Sequence, residues 1–102
     1  MGIPVVAGDF GGPYVPPDPA RPPVIANVQG GSSTVFIKGA SVALFPGPTI
    51  TDQGTIITST LNSTTTLIEG QSVILGGSVT NLSSGYSAGT LFAVTAIGVI
   101  VN

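Results

Sequence analysis

The chain has no cysteine, no histidine and no tryptophan, and its 102 residues include only two cations and four carboxylates. Each shortage closes a class of function. Without Cys or His there is no thiolate nucleophile, no disulfide, no imidazole acid–base group and no zinc site of the usual kind. Arg21 and Lys38 alone cannot neutralise a phosphate backbone, so nucleic acid is excluded as a partner. A net charge of −2 also argues against a polybasic contact with a membrane surface. Long apolar runs are missing too. The longest, residues 91–101 (LFAVTAIGVIV), contains Thr95 and Gly98 and is about half of the roughly 20 residues that a spanning helix needs. No stable membrane insertion is expected. The opening MGIPVVAGDFGGPY lacks the positive start and apolar core of an export signal, and Val6 stands where an N-myristoylation motif has Ser or Thr. Synthesis in the cytoplasm without a signal peptide is the expectation.

Catalysis has few candidates left. Ten Ser and twelve Thr have no His to activate them, and the single Lys lies at a predicted turn. Asp9, Asp18, Asp52 and Glu69 are scattered, whereas acid–base chemistry needs carboxyls held within hydrogen-bond reach of one another or of substrate. No compact acidic loop suggests calcium. Sugar sites favour aromatic platforms, and only Tyr14, Tyr86 and four Phe are present. Neither an enzyme nor a cofactor is expected.

What the chain has is β-forming. Val, Ile and Thr together make up 34 residues, and their branched side chains suit a pleated strand better than a helix. Glycine recurs every few residues from Gly30 onward, which breaks helices and marks turns between short strands. Residues 11–24 (GGPYVPPDPARPPV) hold six of the nine prolines. Proline fixes φ and lacks an N–H, so this stretch reads as an extended surface loop unable to pair as a central strand. A docking peptide for an aromatic groove is the other reading of PPDPARPP.

The central feature is an internal repeat. TVFIKGASVAL (34–44) and TTLIEGQSVIL (65–75) are offset by 31 and share Thr34/Thr65, Ile37/Ile68, Gly39/Gly70, Ser41/Ser72, Val42/Val73 and Leu44/Leu75. Duplication explains this better than chance. Each copy, over 33–44 and 64–75, reads as a β-hairpin with a two-residue turn: Lys38 and Gly39 in the first, Glu69 and Gly70 in the second. Such turns need positive φ, which Gly supplies without strain. The register then sets Ile37 opposite Ala40, Val35 opposite Val42 and Ser33 opposite Leu44, with Ile68–Gln71, Thr66–Val73 and Thr64–Leu75 in the second copy. One face of each ribbon is mainly apolar, and an isolated hairpin is marginal in water, so the two are expected to share a core. Phe36, Phe45 and Leu67 fall off that shared face and are candidate partner-docking residues. Residues 54–58 (GTIIT) read as a further strand leading into the second hairpin, and residues 91–101 as a continuous core strand bent at Gly98.

Residues 30–47 (GGSSTVFIKGASVALFPG) resemble the hairpin motif of PAAR-repeat proteins, which cap the spike of contractile injection machines. In that family Thr-Val-Φ-Ile-Asn-Gly is followed by Pro-Ala-Ala-Arg and soon afterwards by Gly-Asp. Residues 63–78 repeat the motif, with Gly77-Ser78 in the Gly-Asp place. Pro4-Val5-Val6-Ala7-Gly8-Asp9 resembles a truncated third copy, and Gly11-Gly12 stands where the family often has a double glycine. The chain departs from the family where Ser41-Val42-Ala43-Leu44 and Ser72-Val73-Ile74-Leu75 replace Pro-Ala-Ala-Arg. Family members often hold a metal near the apex through several His and a Cys. The matching regions, Thr49-Ile50-Thr51-Asp52-Gln53 and Thr80-Asn81-Leu82, offer only poor ligands for zinc or iron. An apex closed by apolar packing, supplied by residues 91–101, is the expectation.

The resemblance implies an all-β, small cone-like domain of pseudo-threefold β-hairpins, a PAAR-like β-pyramid occupying 1–102 as a single domain. Its base would sit on a trimeric β-helical spike, one monomeric copy per trimer, at the tip of a virion tail or injection particle. The implied task is mechanical: to sharpen the spike for envelope piercing. The same composition also serves a homotrimeric fibre segment, a decoration protein or an adhesin module of a virion. Stoichiometry separates the two, because a threefold built within one chain needs internal duplication.

Overall fold

A computed structural model describes residues 2–101. Its elements are all strands: β1 (Phe10–Tyr14), β2 (Val24–Gly30), β3 (Phe36–Ile37), β4 (Ala40–Ser41), β5 (Leu44–Phe45), β6 (Ile50–Thr51), β7 (Gly54–Ser59), β8 (Asn62–Ile68), β9 (Gln71–Ile74), β10 (Val79–Leu82) and β11 (Gly89–Phe92). They are short because glycine-bearing turns interrupt the β-branched runs every few residues. The body measures 39 × 24 × 21 Å, one long axis and two nearly equal short ones.

One end is a closed six-stranded barrel in the order β1-β11-β10-β7-β6-β2. It is assembled from three antiparallel hairpins, β1–β2, β6–β7 and β10–β11. The first strand of each hairpin pairs with the second strand of a neighbour: β1 with β11, β10 with β7, and β6 with β2. The rule is cyclic, and closure leaves the barrel without an edge.

Beneath the barrel, three extended segments meet at Val5, Ala43 and Ile74. The Ala43 N–H donates to the Val5 carbonyl (2.8 Å), the Ile74 N–H to the Ala43 carbonyl (3.0 Å), and the Val5 N–H to the Ile74 carbonyl (2.9 Å). These three bonds form a ring. The flanking residues follow the same cycle, Val42 bridging Val6, Val73 pairing with Leu44, and Pro4 bridging Leu75. Ala43 and Ile74 are 31 residues apart, the spacing of the sequence repeat, and Val5 lies 38 before Ala43 in the truncated opening copy. The two repeat segments and the opening segment thus occupy three equivalent places.

Alternation along these segments divides the interior in two. Val5, Ala43 and Ile74 join Tyr14, Ile56, Leu82, Tyr86 and Leu91 in the barrel core. Val6, Leu44 and Leu75 face the other way, into a second core with Val42, Val73 and Ala96. Three ribbons wall that second core. Two are the hairpins β3–β4 and β8–β9. The third is made by Gly2 and Val101, whose N–H and C=O groups bond reciprocally, both at 2.8 Å. Ile37, Ile68 and Val101 hold matching positions in the three ribbons and pack inward.

Asp9 fastens the two halves together. Its carboxylate is fully buried and accepts N–H bonds from Val6 (2.9 Å) and from Val94 and Thr95 (3.0 and 2.9 Å), tying the opening segment to the closing one. Backbone donors, in place of a cation, compensate its burial.

Three expectations need correction. The proline-rich stretch 11–24 is not wholly a loop. Residues up to Tyr14 belong to β1, flanked on both sides in the barrel, and β2 starts at Val24. A register shift between Gly11 and Tyr14 absorbs Pro13, which has no N–H for the ladder. Residues 91–101 are not one strand: Leu91 and Phe92 take part in closing the barrel as the end of β11, and the residues after them leave the ladder. β11 ends at Phe92, the chain turns at Ala96, where the carbonyl accepts the Val99 N–H (3.0 Å), and only Val101 rejoins a ribbon. The hairpins also lose register away from their turns. Asn62 pairs with Ile74, not Thr64 with Leu75, and the Ser32 N–H bonds the Val42 carbonyl, so Ser33 does not face Leu44. The cause is a bulge shared by both copies: Ser32 Oγ accepts the Val35 N–H and Ser63 Oγ accepts the Thr66 N–H, each at 2.9 Å.

Candidate partner interface

At the ribbon end, Lys38 and Gly39 (φ +53° and +79°) and Glu69 and Gly70 (φ +56° and +76°) form matching two-residue turns. Positive φ at both central residues is the type I′ geometry that suits strand twist, although Lys and Glu adopt it with strain. The two side chains occupy equivalent places and each leans on a neighbouring ribbon. Glu69 accepts the Ser32 and Thr34 hydroxyls (2.5 and 2.8 Å), and Lys38 Nζ donates to the Ile97 carbonyl (3.1 Å). The Ser32 hydroxyl, seconded by Thr34, holds the Glu69 carboxyl below the usual carboxylate range.

Outside the second core lie Phe36, Leu67 and Ile100, exposed by 56, 59 and 58 %. Each immediately precedes an inward residue, Ile37, Ile68 or Val101, so alternation turns all three outward. The structure brings Phe36 and Leu67 into equivalent positions, as the repeat implies. Ile100 is the third member, missed in the sequence although Val99-Ile100-Val101 carries the same alternation as Val35-Phe36-Ile37. Phe45 does not belong with them. It is half-buried and packs against the barrel core, because the β5 segment turns it towards the barrel.

The barrel interior is filled by an aromatic ring. The Tyr14 hydroxyl and Thr80 Oγ1 are 2.6 Å apart, and Thr80 Oγ1 also reaches the Gly89 carbonyl at 3.3 Å. Gly89 has no side chain to spare, since a Cβ there would lie 2.2 Å from the Tyr14 ring. Burial raises the Tyr14 hydroxyl pKa, partly offset by its bond to Thr80.

The residues matching the family's metal region do not converge. Thr49 Oγ1 is used by the Leu44 N–H and carbonyl (2.9 and 2.7 Å), and Thr51 Oγ1 by the Gly54 carbonyl (2.7 Å). The exposed Asp52 carboxylate accepts the Asn27 N–H and Nδ2 (2.8 and 3.0 Å), which keep it below the ordinary aspartate value, and Asn81 Oδ1 accepts the Ala88 N–H. Among the described residues no three His, Cys, Asp or Glu side chains lie together as metal ligands. The residues present do not fit the family's metal.

The chain matches no protein-family model, no curated protein and no solved structure.

Proposed function

We propose that the chain is a PAAR-like structural cap, a small cone seated on a trimeric β-helical spike at the tip of a contractile tail or injection particle. The observation that carries this reading is the ring through Val5, Ala43 and Ile74, three equivalent segments within one polypeptide. A body with internal threefold repetition can meet a threefold shaft with one copy, whereas an asymmetric monomer would match only one subunit in three. The mechanical task suits the closed barrel. Its strands have no free edge and contain no charged residue, so the leading end is rigid and carries few charges that must lose their hydration. Tyr14 and its neighbours close the apex that other members of the family secure with a metal.

The test is stoichiometry. When the chain is co-expressed with the trimeric spike of its particle, native mass spectrometry is expected to find one copy per trimer. Three copies per trimer, or a stable homotrimer of the chain alone, would overturn the cap and favour a fibre or decoration module.

A further inference from the structure

Three strand edges at the ribbon end share one geometry. In a hairpin with a two-residue turn, the residues beside the turn exchange both hydrogen bonds and the next pair exchanges none. Ile37–Ala40 and Ile68–Gln71 flank the turns, so Phe36–Ser41 and Leu67–Ser72 are the pairs that exchange none. Phe36 and Leu67 therefore turn their N–H and C=O away from their own ribbons. In the third ribbon Gly2 and Val101 exchange both bonds, and the preceding residue, Ile100, faces outward by the same alternation. Three equivalent positions each offer a backbone donor, a backbone acceptor and an exposed apolar side chain.

The charges near this end constrain what can cover it. Lys38 and Glu69 occupy the same place in two ribbons with opposite sign. A threefold partner presenting one charge there would attract one ribbon and repel the other. Both groups are also engaged, Glu69 with Ser32 and Thr34 and Lys38 with the Ile97 carbonyl.

We infer that the partner joins by strand addition, each subunit of a trimeric β-structured shaft laying one uncharged strand against Phe36, Leu67 or Ile100. This rests on the cap reading and specifies its contact: backbone hydrogen bonds and apolar packing without ion pairs, continuing the three-walled ribbon end into the shaft.

The experiment titrates the full-length chain with spike trimer purified from its particle, and follows amide exchange residue by residue. One chain per trimer is expected, with the Phe36, Leu67 and Ile100 amides slowed about tenfold or more on binding and affinity changing less than about twofold between low and high salt. Leu67→Pro removes a donor that the chain's own fold does not use, at an edge where proline is tolerated. It is expected to weaken binding about tenfold, and Leu67→Ala less. If Pro at 67 impairs folding, Phe36→Pro and the exchange pattern decide. A one-to-trimer complex whose three amides exchange as in the free chain overturns strand addition and leaves the cap standing. So does one that dissolves in salt. No complex, or three chains per trimer, overturns both. Protection of the same amides by a second copy of the chain, without spike, overturns the assignment of the partner.

Discussion

The barrel and the ribbon end are built by the same cyclic pairing of three copies, yet they end differently. In the barrel every strand has two neighbours and the interior is filled by unlike residues, with Tyr14 from one copy and Leu82 and Tyr86 from another. In the ribbon end the residues keep the threefold, Ile37 with Ile68 and Val101, and Leu44 with Val6 and Leu75, and the outer strands stop at open edges. Completeness goes with broken symmetry: in the closed barrel the copies diverge to fill one interior. In the ribbon end they keep equivalent places and leave three like edges exposed.

Substitutions can break this contrast, and the largest effect belongs to the barrel. Gly89→Ala drives a Cβ into the Tyr14 ring and should cost about 4 kcal/mol in urea unfolding. Adding Tyr14→Leu should recover part of that loss. At the junction of the halves, Asp9→Ala orphans the buried Val6 N–H and the part-buried N–H groups of Val94 and Thr95, and should cost about 3 kcal/mol.

Tyr14→Phe should cost about 1 kcal/mol by freeing one Thr80 bond. It also removes a pH signature. Burial raises the native tyrosine pKa above its usual 10.0, so the unfolded chain ionises first. Stability should hold up to about pH 10 and fall as pH rises further, a decline that Tyr14→Phe should flatten. The carboxylates act at the other extreme. Asp52 and Glu69 lie below their usual 3.8 and 4.5, so their small contribution is present at neutral pH and is lost as pH falls below those values.

The ribbon end should respond mildly. Lys38→Asn places a residue that tolerates positive φ at the first turn and should raise stability by about 0.5 kcal/mol. Phe36→Ser and Leu67→Ser should leave the free chain within about 0.5 kcal/mol of the parent. A loss as large as that of Gly89→Ala would mean these residues are buried in solution and would erase the contrast.

Much of the plan is legible in the sequence because turn chemistry is local. Lys38-Gly39 and Glu69-Gly70 announce two hairpins, and the 31-residue offset relates them. Register beyond the turns is not legible, because Ser32 and Ser63 bulge the strands through side-chain bonds that no alternation pattern reports. Tyr14 is hidden among prolines that suggest a surface loop, and its placement depends on a bulge at Pro13 and on the space vacated by Gly89. Ile100 is missed for another reason: its ribbon is made from opposite ends of the chain, so no turn marks it.

The ring through Val5, Ala43 and Ile74 also sets how the molecule must fold. Its three bonds span separations of 31, 38 and 69 residues, so the chain must close two long loops before the ring rewards it. Contact order is therefore high, which slows folding relative to a helical protein of this length. Two thirds of the ring would leave a carbonyl and an N–H unsatisfied at the centre of the molecule, so a fragment carrying two copies gains little from either. Folding is therefore expected to be all or nothing, since no partial ring satisfies its own backbone groups.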